Sequence, residues 1–182
     1  MSNKTPPWET HPHIWNTKAK FMSFVRGGIR KSLWQRHPVK LDFIKNNRKR
    51  IKNPNPKGKV AMVWGGECYL CGNDFVQKDL QVDHLKGNHS LKTMDDLQSF
   101  VEAMLFVAED DLALVCHSCH KIKSHAERKG ITFEEARVEK VIIEMMKDKK
   151  AVDELLSKHN LPHNNDKVRK DSLKRLMDSG TL

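Results

Sequence analysis

The four cysteines constrain this chain more than any other feature. They form two C-x2-C pairs, Cys68/Cys71 and Cys116/Cys119, with residues 72–115 between them. Two such pairs supply four thiolates with none left over, the donor set of a tetrahedral zinc ion whose coordination sphere is closed. Structural disulfides fit poorly, because the N-terminal stretch Met1–His13 is polar and rich in proline and histidine rather than a secretory signal. A thioredoxin-like redox pair would leave the second C-x2-C unexplained. The expected zinc is therefore structural, and the long insertion it braces is where chemistry is expected.

Charge supplies the second constraint. The chain has 33 Lys+Arg against 23 Asp+Glu. Between Lys18 and Lys59 stand fourteen cations and a single acid, Asp42. Self-repulsion on that scale is best tolerated beside phosphates, so this segment is read as a nucleic-acid contact. Arg26, Arg30, Lys31, Arg36, Arg48, Lys49 and Arg50 are its candidate DNA-binding residues. No apolar run approaches the roughly 20 residues of a membrane span, so no membrane partner is expected, and the protein is placed in the cytoplasm.

Apolar spacing predicts an amphipathic helix over residues 16–35 through Ala19, Met22, Val25, Ile29 and Leu33. Gly27-Gly28 is expected to kink it or to bring it against another backbone. Pro38 starts a second short helix. Asn53-Pro54-Asn55-Pro56-Lys57-Gly58 has the composition of a linker. Strands are predicted at residues 80–85 and 112–115, and a helix from Cys116 to Lys129 ended by Gly130. A further helix, carrying Leu97, Phe100, Val101, Met104 and Leu105, is capped from Thr93–Asp96. Thr132 and Glu135 form a capping box for the next helix, and two more follow from Ala151 and Val168. The expected fold is α+β, mostly α. Its expected divisions are a flexible tail (1–13), a basic helical DNA-binding arm (14–59), a catalytic domain (60–130) and a C-terminal helical extension (131–182).

Between the cysteine pairs stands Val82-Asp83-His84-Leu85, and after the last cysteine comes His120-Lys121-Ile122-Lys123. Neighbouring helical residues are about 100° apart, so Cys119 can face zinc while His120 and Lys123 face away. This order, C-x2-C, then D-H, then L-x3-C-x2-C-H-x2-K, resembles the HNH (ββα-metal) endonuclease family in its zinc-braced form, in particular small bacteriophage members. The resemblance covers Glu67 to Ser124.

It implies a ββα-metal core in which His84 is the general base and Asp83 and His120 hold a catalytic Mg²⁺ or similar divalent ion. Lys123 would contact phosphate. Imidazole suits proton transfer at neutral pH, and one carboxylate plus one imidazole leaves a metal open to water and phosphate. The family's middle Asn falls on Asp111, which is expected to orient the His84 ring or to add a metal ligand; ionised, it accepts hydrogen bonds but donates none. His89, His117 and His125 are read as surface or hydrogen-bonded histidines.

The implied function is metal-dependent hydrolysis of double-stranded DNA by a monomer or weak dimer encoded by a phage or mobile element, acting in host cytoplasm, with homing one possible role. A non-catalytic zinc-braced DNA-binding protein on the same scaffold is the alternative. The C-terminal helices resemble a SAP-type DNA-binding unit.

Overall fold

The computed structural model describes residues 4–55, 57–87 and 90–181. The fold is α+β and mostly helical, with two small antiparallel sheets. The chain forms two compact units, Met1–His117 and Ser118–Leu182. Among the described residues no helix is long and apolar enough to cross a membrane.

The first unit opens with a helical turn, α1 (Pro7–Thr10), in the stretch expected to be a flexible tail. Trp8 of this turn packs on Phe21, with ring centroids 5.6 Å apart. Helix α2 (Lys18–Ser32) starts where the Thr17 hydroxyl accepts the Lys20 N–H. It passes through Gly27-Gly28 without interruption, and a Cβ built on either glycine meets nothing within 4 Å. The close backbone approach expected of the pair is not found. A 3-10 turn (Trp34–Arg36) then leads to α3 (Pro38–Asn47), with Pro38 in the first helical turn.

Strand β1 (Lys49–Lys52) pairs with β2 (Met62–Glu67), which pairs with β3 (Asp74–Val76). The presumed linker is thus the connection of a β-hairpin. Asn53 fastens it: its N–H reaches Ala61 O, its side-chain amide donates to Val60 O, and its Oδ1 accepts the Asn55 N–H. Asn and Pro are residues of turns as much as of linkers, which is why composition alone misled.

The second sheet pairs β4 (Leu80–His84) with β5 (Leu112–Cys116), Asp83 opposite Ala113 and His84 opposite Leu112. Between them lies α4 (Leu97–Leu105). The Asp96 carboxylate gathers the N–H groups of Lys92 and Thr93, so the bonds at this helix start run backward into the loop instead of from Thr93 into the helix. One core joins these parts: Met22, Trp34, Phe43, Val82, Leu91, Phe100, Met104, Leu112 and Leu114. Residues of the basic segment 14–59 thus share this core. Their apolar positions need cover, and the β4–β5 strands with α4 provide it.

Helix α5 (His117–Lys129) spans the unit boundary, and Gly130 follows it at φ +67°. In the second unit α6 (Phe133–Met145) has the predicted Thr132/Glu135 capping box. With α7 (Lys149–Lys158) and α8 (Asp166–Asp178) it buries Ile142, Val152, Leu156, Leu173 and Leu176. Arg169 grips Asp153 in a two-pronged ion pair at 2.6 and 2.8 Å.

Since Gly27 and Gly28 sit inside a helix with open space at Cβ, Gly27→Ala and Gly28→Ala are each expected to stabilise by about 1 kcal/mol. All four tryptophans lie in the first unit, so urea unfolding followed by tryptophan fluorescence reports this directly. The midpoint should rise at constant slope; a lowered midpoint would mean the glycines are needed as they stand.

Candidate metal centre and active site

The four cysteine sulfurs all lie within 4.8 Å of one another. A tetrahedral zinc with Zn–S bonds of about 2.3 Å needs sulfurs about 3.8 Å apart, so this set can hold a metal ion such as zinc after slight closure. Local structure explains the gathering. Cys68 follows β2, and the chain turns back through Gly72 at φ +70°, with Gly72 N–H on Cys68 O and Cys68 N–H on Asn73 O. The Tyr69 N–H bonds to Leu114 O, tying this knuckle to β5. Cys116 ends that strand, and its N–H donates to Cys68 Sγ at 3.3 Å. Cys119 lies in the first turn of α5.

Burial pushes the Cys68 thiol up, but N–H groups of Cys116, Cys71 and Leu70, with the Cys71 side chain, outweigh it and bring it down to about 7. Backbone donors aimed at the sulfur favour the thiolate, the form a metal needs.

Asp83 and His84 are half-buried at the end of β4. The His84 Nε2 lies 3.2 Å from the carbonyl oxygen of Met104. A carbonyl only accepts, so Nε2 carries the proton, and in the neutral ring the lone pair is on Nδ1. The Trp34 ring lies against the imidazole, with centroids 4.4 Å apart and planes 30° from parallel. Arg30, one turn before Trp34, is close enough to Asp83 to feel its charge. Burial and Arg26 push the Arg30 guanidinium down, and Asp83 works the other way.

Asp111 ends a 3-10 turn (Glu109–Asp111). Its carboxylate accepts the Ala108 N–H at 2.8 Å, closing its own loop, and its backbone carbonyl accepts the Leu85 N–H just past His84. The position thus supports the end of β4 through the main chain. Lys123 forms an ion pair with Glu127 at 2.8 Å, and His120 is half-buried on α5. His125 is buried and bonded to Glu139, and His117 lies 3.4 Å from Lys78 O; both are hydrogen-bonded as expected. His89 lies outside the described residues.

The candidate DNA-binding residues divide by surroundings. Arg26 is half-buried, while Arg30, Lys31 and Arg36 are exposed. Arg48 and Arg50 stack on the exposed ring of Trp64, their guanidinium carbons 4.3 and 5.2 Å from its centroid. Lys49, by contrast, is paired with Glu67 and Asp74. Sequence reasoning missed Trp34, His37 and Trp64. Arg50 faces Trp64 only through the β1–β2 register, which composition cannot reveal.

No protein-family model, curated protein or solved structure matches this chain.

Metal analysis should return one zinc per chain. Cys71 is the exposed cysteine of the four, so Cys71→Ser tests the metal with little effect on packing; its zinc should be lost to a mild chelator while the parent's is retained. Because the Cys68 thiol sits at about 7, below its ordinary value, the folded site favours the thiolate. That preference is complete above the ordinary thiol range and is lost as pH falls through 7. Zinc retention, followed with a colorimetric chelator, should fall in the same direction; retention independent of pH and of Cys71 would exclude this site.

Proposed function

We propose that this chain is an HNH-type DNA endonuclease, hydrolysing phosphodiester bonds in duplex DNA with a divalent metal, on a scaffold braced by a structural zinc at Cys68, Cys71, Cys116 and Cys119. One observation carries the proposal. His84 Nε2 donates to the Met104 carbonyl, which sets the lone pair of the neutral ring on Nδ1. It also stands next to a carboxylate, Asp83, whose charge acts on Arg30.

In the reaction His84 Nδ1 would take a proton from water as the water oxygen attacks phosphorus and the 3′-oxygen departs. Asp83 and His120 would hold Mg²⁺ or a similar ion, which supplies positive charge to the phosphate oxygens. Arg30, beside Asp83, is placed to bind phosphate. The element order β4, β5, α5 agrees with the ββα arrangement that the sequence resemblance implies. Arg48 and Arg50, ordered on Trp64, would grip the DNA backbone, helped by Lys52 across the strand pair from Met62. A phage or mobile-element setting follows from the resemblance alone.

The second reading, a DNA-binding protein without catalysis, is favoured by two contacts. The Asp111 carboxylate serves its own turn, and Lys123 is paired with Glu127.

Supercoiled plasmid incubated with the protein should be nicked in Mg²⁺ or Mn²⁺ and not in EDTA, and His84→Ala should lower the rate at least about 100-fold. DNA bound but never cut, across several substrates and metals, would favour the second reading. Separately, the double substitution Arg48→Ala/Arg50→Ala should weaken binding alike on unrelated sequences and reduce the slope of log affinity against log salt by about two. An unchanged slope would take the hairpin off the DNA.

A further inference from the structure

We propose that Trp34 is a positioning residue for His84, acting with the C-terminal end of α4 as a single brace that keeps the imidazole in one orientation. The proposal rests on the nuclease reading for its purpose, but its geometry stands independently.

The last four carbonyls of a helix have no partner within it. In α4 two of these, Met104 O and Leu105 O, are taken by imidazoles: His84 Nε2 at 3.2 Å and His37 Nε2 at 3.0 Å. Two histidines far apart in sequence thus hold consecutive carbonyls of one helix end. The Trp34 ring serves both, 4.4 Å from His84 and 5.8 Å from His37. Both imidazoles are tilted to the indole, by 30° for His84 and 40° for His37, and His84 is the ring in close face contact.

Trp34 is itself fixed. It is buried, and the Lys40 ammonium lies 5.2 Å above its ring, held there by Gln35 at 2.8 Å. Among the described residues His37 Nδ1 is a buried atom without a hydrogen-bond partner. That ring is therefore spent on the α4 end and not on capping its own helix.

The indole against its face resists tilting of the His84 ring out of its plane, and the Nε2–Met104 bond resists the half-turn about the outer torsion that would exchange the two ring edges. With Nε2 on a carbonyl and the face on an indole, Nδ1 keeps one direction. The residues between the cysteine pairs would then contribute to the site through α4 as well as filling the core.

The test uses the full, zinc-loaded chain with Trp34→Phe, which keeps a stacking ring, and Trp34→Leu, which keeps bulk alone. Long-range ¹H–¹⁵N spectra should show a single Nε2–H tautomer of His84 in the parent and in Trp34→Phe, and a mixture in Trp34→Leu. Plasmid nicking by Trp34→Leu should lose about 10- to 100-fold in kcat with KM for DNA unchanged, and Trp34→Phe should recover most of it. Should Trp34→Leu fail to fold, His37→Ala, at a half-buried position, should show the same mixing of tautomers. A single tautomer and parental kcat in Trp34→Leu, or in His37→Ala if that variant stands in, would overturn the brace. If the parent cuts no DNA yet the tautomer still depends on Trp34, the brace holds and the nuclease reading fails.

Discussion

The pairing of β4 with β5 is the interaction on which the rest depends. Its register sets His84 opposite Leu112 and Leu80 opposite Cys116. One short ladder thus fixes the candidate base at one end and delivers the third cysteine at the other. Every residue of β5 is buried, so a slip by one position would turn its side chains to the wrong face. The Tyr69 N–H bond to Leu114 O then hangs the first cysteine pair on the same strand. Cys68, Cys71 and Cys116 of the cysteine cluster and Asp83-His84 thus hang on one ladder.

Around that ladder the chain reconciles a high positive charge with a dry core. The basic segment carries Met22, Trp34 and Phe43 on one side, and these enter the core that Val82, Leu112 and α4 share. Most of its cations stay near the surface, among them arginines stacked against Trp64 or exposed along α2, while Lys40 is buried over the Trp34 ring. Packing this segment on the ladder lets Arg30 feel the charge of Asp83 and brings Trp34 onto His84. The same apolar demand that folds the segment also sets its charge beside the β4–β5 ladder.

Much of this was legible in the sequence because local chemistry announced it. The cysteine spacing foretold a four-sulfur cluster, Thr132 and Glu135 foretold their capping box, and the apolar runs foretold β4, β5 and the helix after Cys116. What escaped notice depends on contacts distant in sequence. The composition of Asn53–Gly58 suits turns and linkers alike, and only strand pairing tells them apart. Trp34 gave no sign of its role, since its partner on β4 is fifty positions away. Asp111 was weighed for its side chain, yet its backbone carbonyl is what meets Leu85. The carbonyls of Met104 and Leu105 carry no sequence signature at all.

Chemical rescue would test most directly whether His84 works as a base. Single-turnover cleavage by zinc-loaded His84→Gly, with saturating Mg²⁺, should be nearly abolished and should return saturably on adding free imidazole. Cleavage that proceeds at the parental rate in His84→Gly without imidazole would contradict the role assigned to His84 and the function built on it.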